Sequence, residues 1–351
     1  MKQRENSRKE FVSKHQWGGD GSGAELLPLF SDASFRQYFR LVHADKTAGG
    51  KTAMLMDAPP EHENIQPFLN VTDHLQRLGL RVPQIFSHDT RNGFIILEDL
   101  GTETFTALLN AGRQALPLYK KAITALAQLH SSPNAININV GHYDFERLID
   151  EACLFTKWYL PAVIGESGEP RAGNQQRQAH YIAAWKTIYN NLPNIESTLV
   201  LRDYHADNLM LVDNQCALLD YQDAVIGSPA YDVVSLLEDA RRDIDANLYV
   251  QILETYFNQR PKINRQAFNH HCMVWGAQRH CKVAGIFMRL WLRDNKPRYL
   301  GHLARVLGLL RNKLDNPALA PLCAWFAQNA ISLHYRKPQA SREQILSQIH
   351  A

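Results

Sequence analysis

The 351-residue sequence contains no Cys-x-x-Cys pair; its five cysteines lie far apart, at 153, 216, 272, 281 and 323. That spacing removes zinc-ribbon and redox-dithiol chemistry, and dispersed thiols in a chain of this length read as reduced core residues. Fifteen histidines occur without a His-Glu-x-x-His, so a zinc hydrolase has no support either. No apolar run approaches the ~20 residues that span a bilayer. The start, MKQRENSRKEF, is polar and lacks the apolar stretch of a secretory signal. A cytoplasmic location is the expectation. Charge of one sign is also missing: 38 Lys+Arg against 35 Asp+Glu leave +3. Neither nucleic acid nor a membrane surface is therefore expected as a partner. What the chain does have is 45% hydrophobic residues, enough for a core divided over about two domains.

The first hundred residues read as short strands around one helix. AELLPLF and FRQYFRLV are β-rich runs separated by the turn-prone SDAS, and KTAMLM is a third. Over Asn64–Leu78, the residues Ile65, Phe68, Leu69, Val71, Leu75 and Leu78 recur at helical spacing. RVPQIFSHD and GFIILEDLG add two strands around an Arg91-Asn92-Gly93 turn. The order predicts an α+β fold whose small lobe, residues 1–100, holds an antiparallel sheet, with a tail or helix before residue 24. Residues 101–351 are read as a larger, mainly helical lobe. Its exception is Thr198–Asp223, where STLVLRD and CALLDYQD are expected to pair as two strands joined by YHADNLMLVDNQ.

That exception carries the chemistry. Asp203 and Asn208 fit D-x-x-x-x-N, and Asp220 ends the following apolar run. Phosphoryl transfer from a nucleotide needs such a set: one carboxylate for the acceptor hydroxyl, an amide oxygen and a second carboxylate for the magnesium that bridges the phosphates. Mg²⁺ keeps several waters, so one Asn and one Asp suffice as protein ligands. Gly227-Ser228-Pro229-Ala230-Tyr231-Asp232 then opens a helix, and Asp232 in its first turn is expected to organise structure.

The run LVLRDYHADNLMLV…ALLDYQDAVIGSPAYDVVSLLEDARRD resembles the aminoglycoside phosphotransferase-like kinases, relatives of the protein kinases. It keeps Asp203, Asn208, Asp220, Gly227, Pro229 and Asp232 and departs at Leu201, where that family commonly has a scaffold histidine. SDASFRQYFRLV, AMLMDAPPE, GLRVPQIF, FIILEDLG and QRHCKVAGIFMRLWLRDNKPRYL are similar to the bacterial anomeric amino-sugar kinases of cell-wall recycling. Those enzymes phosphorylate C1 of N-acetylmuramate and N-acetylglucosamine. The resemblance implies a two-lobed kinase-like fold, ATP and Mg²⁺, a small-molecule sugar partner and a sugar-1-phosphate product. It also implies Asp203 as catalytic base, with Asn208 and Asp220 as metal ligands.

Two features of kinases are missing. KTAMLMDAPP offers no clear strand lysine, since Lys51 lies early on the run, and Ser31–Ser34 has no glycine. Arg36 or Arg40, on one face of the second strand, and Ser34 are the candidates for gripping phosphate. The carboxylate that kinases carry on the small-lobe helix has no clear occupant; Glu61 and Glu63 are the candidates, and without the strand lysine they lack its usual partner. By resemblance, the backbone of Glu98-Asp99-Leu100 would meet the adenine edge, which makes Glu98 and Leu100 nucleotide-binding positions. For the acceptor, Tyr143, Arg147, Glu151, Phe155 and Trp158 are expected to share one helical face. Arg279, Lys282, Arg289 and Arg293 are cations on an otherwise apolar helix. Glu151, Trp158, Arg279 and Lys282 are the candidate sugar-binding residues, Arg279 with Lys282 for a carboxylate. Two other readings are an aminoglycoside phosphotransferase, using Glu151, Glu238, Asp239 and Asp243 against a polycation, and a silent nucleotide-binding module.

Overall fold

Alternation writes the first sheet. In Gln37–Val42, Phe39 and Leu41 are buried on one face, while Tyr38, Arg40 and Val42 turn the other way and are half-buried. The computed structural model describes residues 2–15, 24–29, 35–42, 52–164 and 171–350. The chain forms two compact units, Met1–Ala122 with Ala206–Asp223, and Ile123–His205 with Ala224–Ala351. Among the described residues no helix is long and apolar enough to cross a membrane.

In the first unit, β1 (Glu25–Leu29), β2 (Gln37–Val42), β3 (Thr52–Asp57), β4 (Ile85–Asp89) and β5 (Phe94–Glu98) form an antiparallel sheet in the order β1-β2-β3-β5-β4. The expected helix is α2 (Gln66–Arg77), between β3 and β4. The β4–β5 turn is fixed by Asp89, whose carboxylate accepts the amides of Arg91 and Asn92. Gly93 follows at φ +70°, where a Cβ would stand 1.9 Å from the Ala58 carbonyl oxygen; no other residue fits. The polar start is a helix, α1 (Lys2–Lys14). Phe11 and Val12 join the core formed by Phe39, Leu41, Leu55, Phe94 and Ile96. Arg4 and Arg8 meet the buried carboxylate of Asp57 at 2.6 and 3.0 Å.

The unit continues with α3 (Phe105–Asn110) and the first turns of α4 (Ala115–Ser131), and it includes a hairpin that corrects the sequence reading. LMLV, expected as part of a connection, is itself a strand. β7 (Leu209–Val212) pairs with β8 (Gln215–Leu218), because Asp213 and Asn214 at φ +48° and +61° make the two-residue turn that such hairpins favour. β6 (Thr198–Val200) pairs instead with β9 (Val225–Gly227), in the second unit. The two motif strands are therefore not each other's partners.

The second unit is helical: α5 (Phe145–Leu154), α6 (Leu160–Ile164), α7 (Arg171–Asn190), α8 (Ala230–Leu237), α9 (Ala246–Gln259), α10 (Arg265–Leu292), α11 (Leu303–Leu314), α12 (Ala320–Gln328) and α13 (Arg342–His350). α10 is apolar on most of its circumference and packs against α5, α8 and α11, as a central core helix must. Gly285 permits its approach to α5, since a Cβ there would lie 2.3 Å from the Leu154 carbonyl. Between α5 and α6, Phe155–Tyr159 forms a π-helical turn. The wider turn slips the register between Glu151 and Trp158 away from the uniform helical spacing expected of this stretch.

This core also contains charge. Glu238 accepts from Lys313 at 2.5 Å and His280 at 2.7 Å, all three buried, and a Cβ on Gly276 would meet Lys313 Cε at 2.5 Å. Burial alone would raise the Glu238 pKa, but Lys313 and His280 bring it down to about 2. Its contribution to stability is present above the unfolded carboxylate value and is lost as pH falls toward about 2. Lys313→Met, which strands that carboxylate, is expected to cost about 3–5 kcal/mol. Urea unfolding at pH 7 measures this. A loss near zero would show that Glu238 finds another partner.

Candidate active site

Where β6 ends at Val200, the backbone needs new hydrogen-bond partners. Asp232, fully buried in the first turn of α8, supplies them: one carboxylate oxygen accepts the Leu201 amide at 2.6 Å, the other the Arg202 amide at 2.8 Å. Arg202 is thereby held at φ +71°, a left-handed conformation that costs a non-glycine residue about 1–3 kcal/mol. Asp203 comes next, partly exposed. Burial raises its pKa, but the charges of Lys282, Arg279 and Arg202 outweigh this and hold it below the usual carboxylate value. Asp203 is therefore ionised at neutral pH, the state a general base requires. The neighbouring His205 is buried and pushed toward its neutral form, first by burial and then by Arg241.

Arg202 turns its guanidinium to Glu151 of α5. The Glu151 carboxylate also accepts from Lys282 at 3.0 Å, from Gln278 at 3.3 Å and from the Tyr143 hydroxyl. Burial opposes its ionisation, yet Lys282 and Arg202 lower its pKa. The structure thus brings together Asp203, Glu151, Arg279 and Lys282 within the second unit. Trp158 is buried in the π-helical turn, and the exposed Arg293 pairs with its neighbour Asp294 at 2.7 Å. Gln278 and Tyr231 were not singled out from sequence, although each stands directly beside a residue that was.

The other candidates lie in the first unit. Asn208 closes a 3-10 turn, Ala206–Asn208, and its carbonyl accepts the Leu219 amide at 2.9 Å. Its side-chain nitrogen is 3.4 Å from an Asp220 carboxylate oxygen, and Gln222 donates to the other at 2.8 Å. Asp220 stands at φ +58° and is exposed. An amide and a carboxylate side chain this close could supply the two oxygen ligands that suffice for Mg²⁺, a hard cation that needs few protein ligands. Among the described residues no group of three or more His, Cys, Asp or Glu side chains could hold a metal ion.

Arg36 and Arg40, equivalent by alternation, are used differently. Arg40 is bidentate on Asp99 at 2.6 and 3.1 Å and also reaches the Gly101 carbonyl, tying β2 to the segment after β5. Arg36 pairs with Glu63 and lies in the field of Tyr38 and Asp220. Arg36 is thus a cation immediately before β2, paired with a carboxylate and electrostatically coupled to Asp220, a candidate metal ligand. The side chain of Glu98 binds Arg81 at 2.8 and 2.5 Å, and its amide donates to Gln84. Leu100 makes no backbone hydrogen bond among the described residues. Ser34 and Lys51 lie outside the described residues.

Comparison with known proteins places this geometry. Residues 25–266 match the APH family, described as a phosphotransferase enzyme family. The N-acetylmuramate/N-acetylglucosamine kinase of Pseudomonas aeruginosa is 35% identical, over 89% of this chain and 90% of that protein. The protein of the same name from Neisseria meningitidis is 34% identical, over 86% and 89%. Among solved structures, choline kinase from Cryptosporidium parvum has a TM-score of 0.60 at 13% identity and covers 92% of this chain and 99% of that one. At that identity the likeness is one of fold, and it agrees with the kinase-like α+β fold expected from the sequence. The fold, the D-x-x-x-x-N loop and a family match over more than half of its length lead to one conclusion: the chain belongs to the APH phosphotransferase enzyme family.

Proposed function

We propose that this enzyme uses ATP with Mg²⁺ to phosphorylate the anomeric hydroxyl of N-acetylmuramate and N-acetylglucosamine. The observation that carries the chemistry is Asp203, held ionised on a loop whose backbone Asp232 fixes. The choice of sugar is supported by relatives of that name, 35% and 34% identical across most of both chains.

Asp203 accepts the proton of the C1 hydroxyl as its oxygen bonds to the γ-phosphorus. The bond from that phosphorus to the bridging β–γ oxygen breaks, and ADP carries away the electron pair. An anomeric hydroxyl is more acidic than an ordinary alcohol, so positioning and charge neutralisation carry most of the rate. Asn208 and Asp220 would hold the Mg²⁺, which neutralises phosphate charge when bound. Arg36, oriented by Glu63, takes the place of the strand lysine on the phosphates. Leu100 offers its unengaged backbone to the adenine edge. In this reading residues 1–100 serve the nucleotide, and residues 101–351 serve catalysis and the sugar.

An aminoglycoside acceptor fits less well. The four carboxylates that a polycation would need are already matched with cations: Glu151 with Lys282, Glu238 with Lys313, Asp239 with Arg241 and Asp243 with Arg305. A silent module is disfavoured because Arg36 supplies the charge whose absence argued for one.

Asp203→Asn is expected to lower kcat by about 10²–10⁴-fold while Mg-ATP binding survives; Asp220→Ala should abolish metal-dependent nucleotide binding. ADP release and calorimetry measure the two, and undiminished turnover by Asp203→Asn contradicts the assignment. The acid limb of the kcat profile follows protonation of Asp203. Removing a cation raises that pKa, so Lys282→Met should move the limb to higher pH. An unmoved limb would mean that another group titrates there.

A further inference from the structure

α10 presents Arg279 and Lys282 one turn apart, 4% and 6% exposed, but the protein treats them differently. Lys282 donates to Glu151 at 3.0 Å and to the Tyr231 hydroxyl at 3.3 Å. Arg279 makes no hydrogen bond or ion pair with any described residue. Its guanidinium stands 5.9 Å from the centre of the Tyr231 ring, in the field of Asp203 and Asp239. Its nitrogens are not among the sealed-off polar atoms, so a ligand can reach them. Five donors on a buried cation without an acceptor are costly in the free protein.

The charge around it does not balance. Arg202, Arg279 and Lys282 stand against Glu151 and Asp203, and the adjoining Asp239–Arg241 pair adds one charge of each sign. One cation is left over, and it belongs to the residue that lacks a partner. N-acetylmuramate differs from N-acetylglucosamine by a lactyl ether that ends in a carboxylate. We propose that Arg279 distinguishes the two sugars, its planar guanidinium taking the lactyl carboxylate of N-acetylmuramate in a two-pronged pair. Lys282, engaged by Glu151, is a positioning residue. The inference rests on the sugar-kinase reading and adds a preference within it.

The test is steady-state kinetics of the whole protein with three acceptors: N-acetylmuramate, its methyl ester and N-acetylglucosamine. The unaltered enzyme should favour the acid over the ester by tenfold or more in kcat/KM. In Arg279→Gln, the ratio of kcat/KM for N-acetylmuramate to that for N-acetylglucosamine should fall about a hundredfold. Arg279→Lys, which keeps charge but not the fork, should lie between. Equal losses on both sugars would assign Arg279 to the phosphoryl group or to Asp203 and overturn the proposal. So would equal turnover of acid and ester by the unaltered enzyme, a measurement that stands even if Arg279→Gln does not fold. Phosphorylation of none of the three acceptors would overturn the kinase reading, and this inference with it.

Discussion

The two carboxylate oxygens of Asp232, each accepting one backbone amide, set the conformation from which the Asp203 loop departs. Without them Arg202 would have little reason to stay left-handed, since only its local surroundings offset that strain. With them, the chain leaves β6 in one direction, Arg202 points toward Glu151, and Asp203 follows at a fixed place. The carboxylate is buried and sits at a helix start, where the dipole favours negative charge. A buried side chain on α8 thus fixes the loop that carries the proposed base.

Charge matching carries the arrangement outward. Ionised groups in a helical core are tolerated when each has a partner and good hydrogen bonds. Glu151, with Lys282, Arg202, Gln278 and Tyr143 around it, satisfies that condition, and so does Glu238 with Lys313 and His280. Against that background an unmatched buried arginine on the central helix stands out. Near Asp203 the surplus of cations has a chemical consequence as well, because it keeps the carboxylate ionised despite partial burial.

Much of this was legible in the sequence. Apolar alternation gave the five strands and one helix of the sheet in order, and D-x-x-x-x-N with a later Asp pointed to the candidate residues for phosphoryl transfer. The failures share a cause: they depend on which element meets which. STLV and CALL look alike as apolar runs, and nothing local says that Asp213-Asn214 closes a separate hairpin on LMLV. Arg36 and Arg40 are equivalent by period two, yet Glu63 and Asp99 draw them to different tasks. A π-helical turn, which has no strong sequence mark, interrupts the uniform helical spacing on which the face carrying Glu151 and Trp158 is read. The N-terminal helix has so little apolar periodicity that Phe11 and Val12 give no hint of the sheet they cover.

The account as a whole requires that a phosphoryl group pass from ATP to C1 of an N-acetylated amino sugar. Proton-coupled ³¹P NMR of the product formed from ATP and N-acetylmuramate tests this most directly. The account predicts a phosphorus signal coupled to the anomeric proton. A signal coupled instead to the C6 methylene protons, or ATP hydrolysed to ADP and free phosphate with the sugar unchanged, would contradict it.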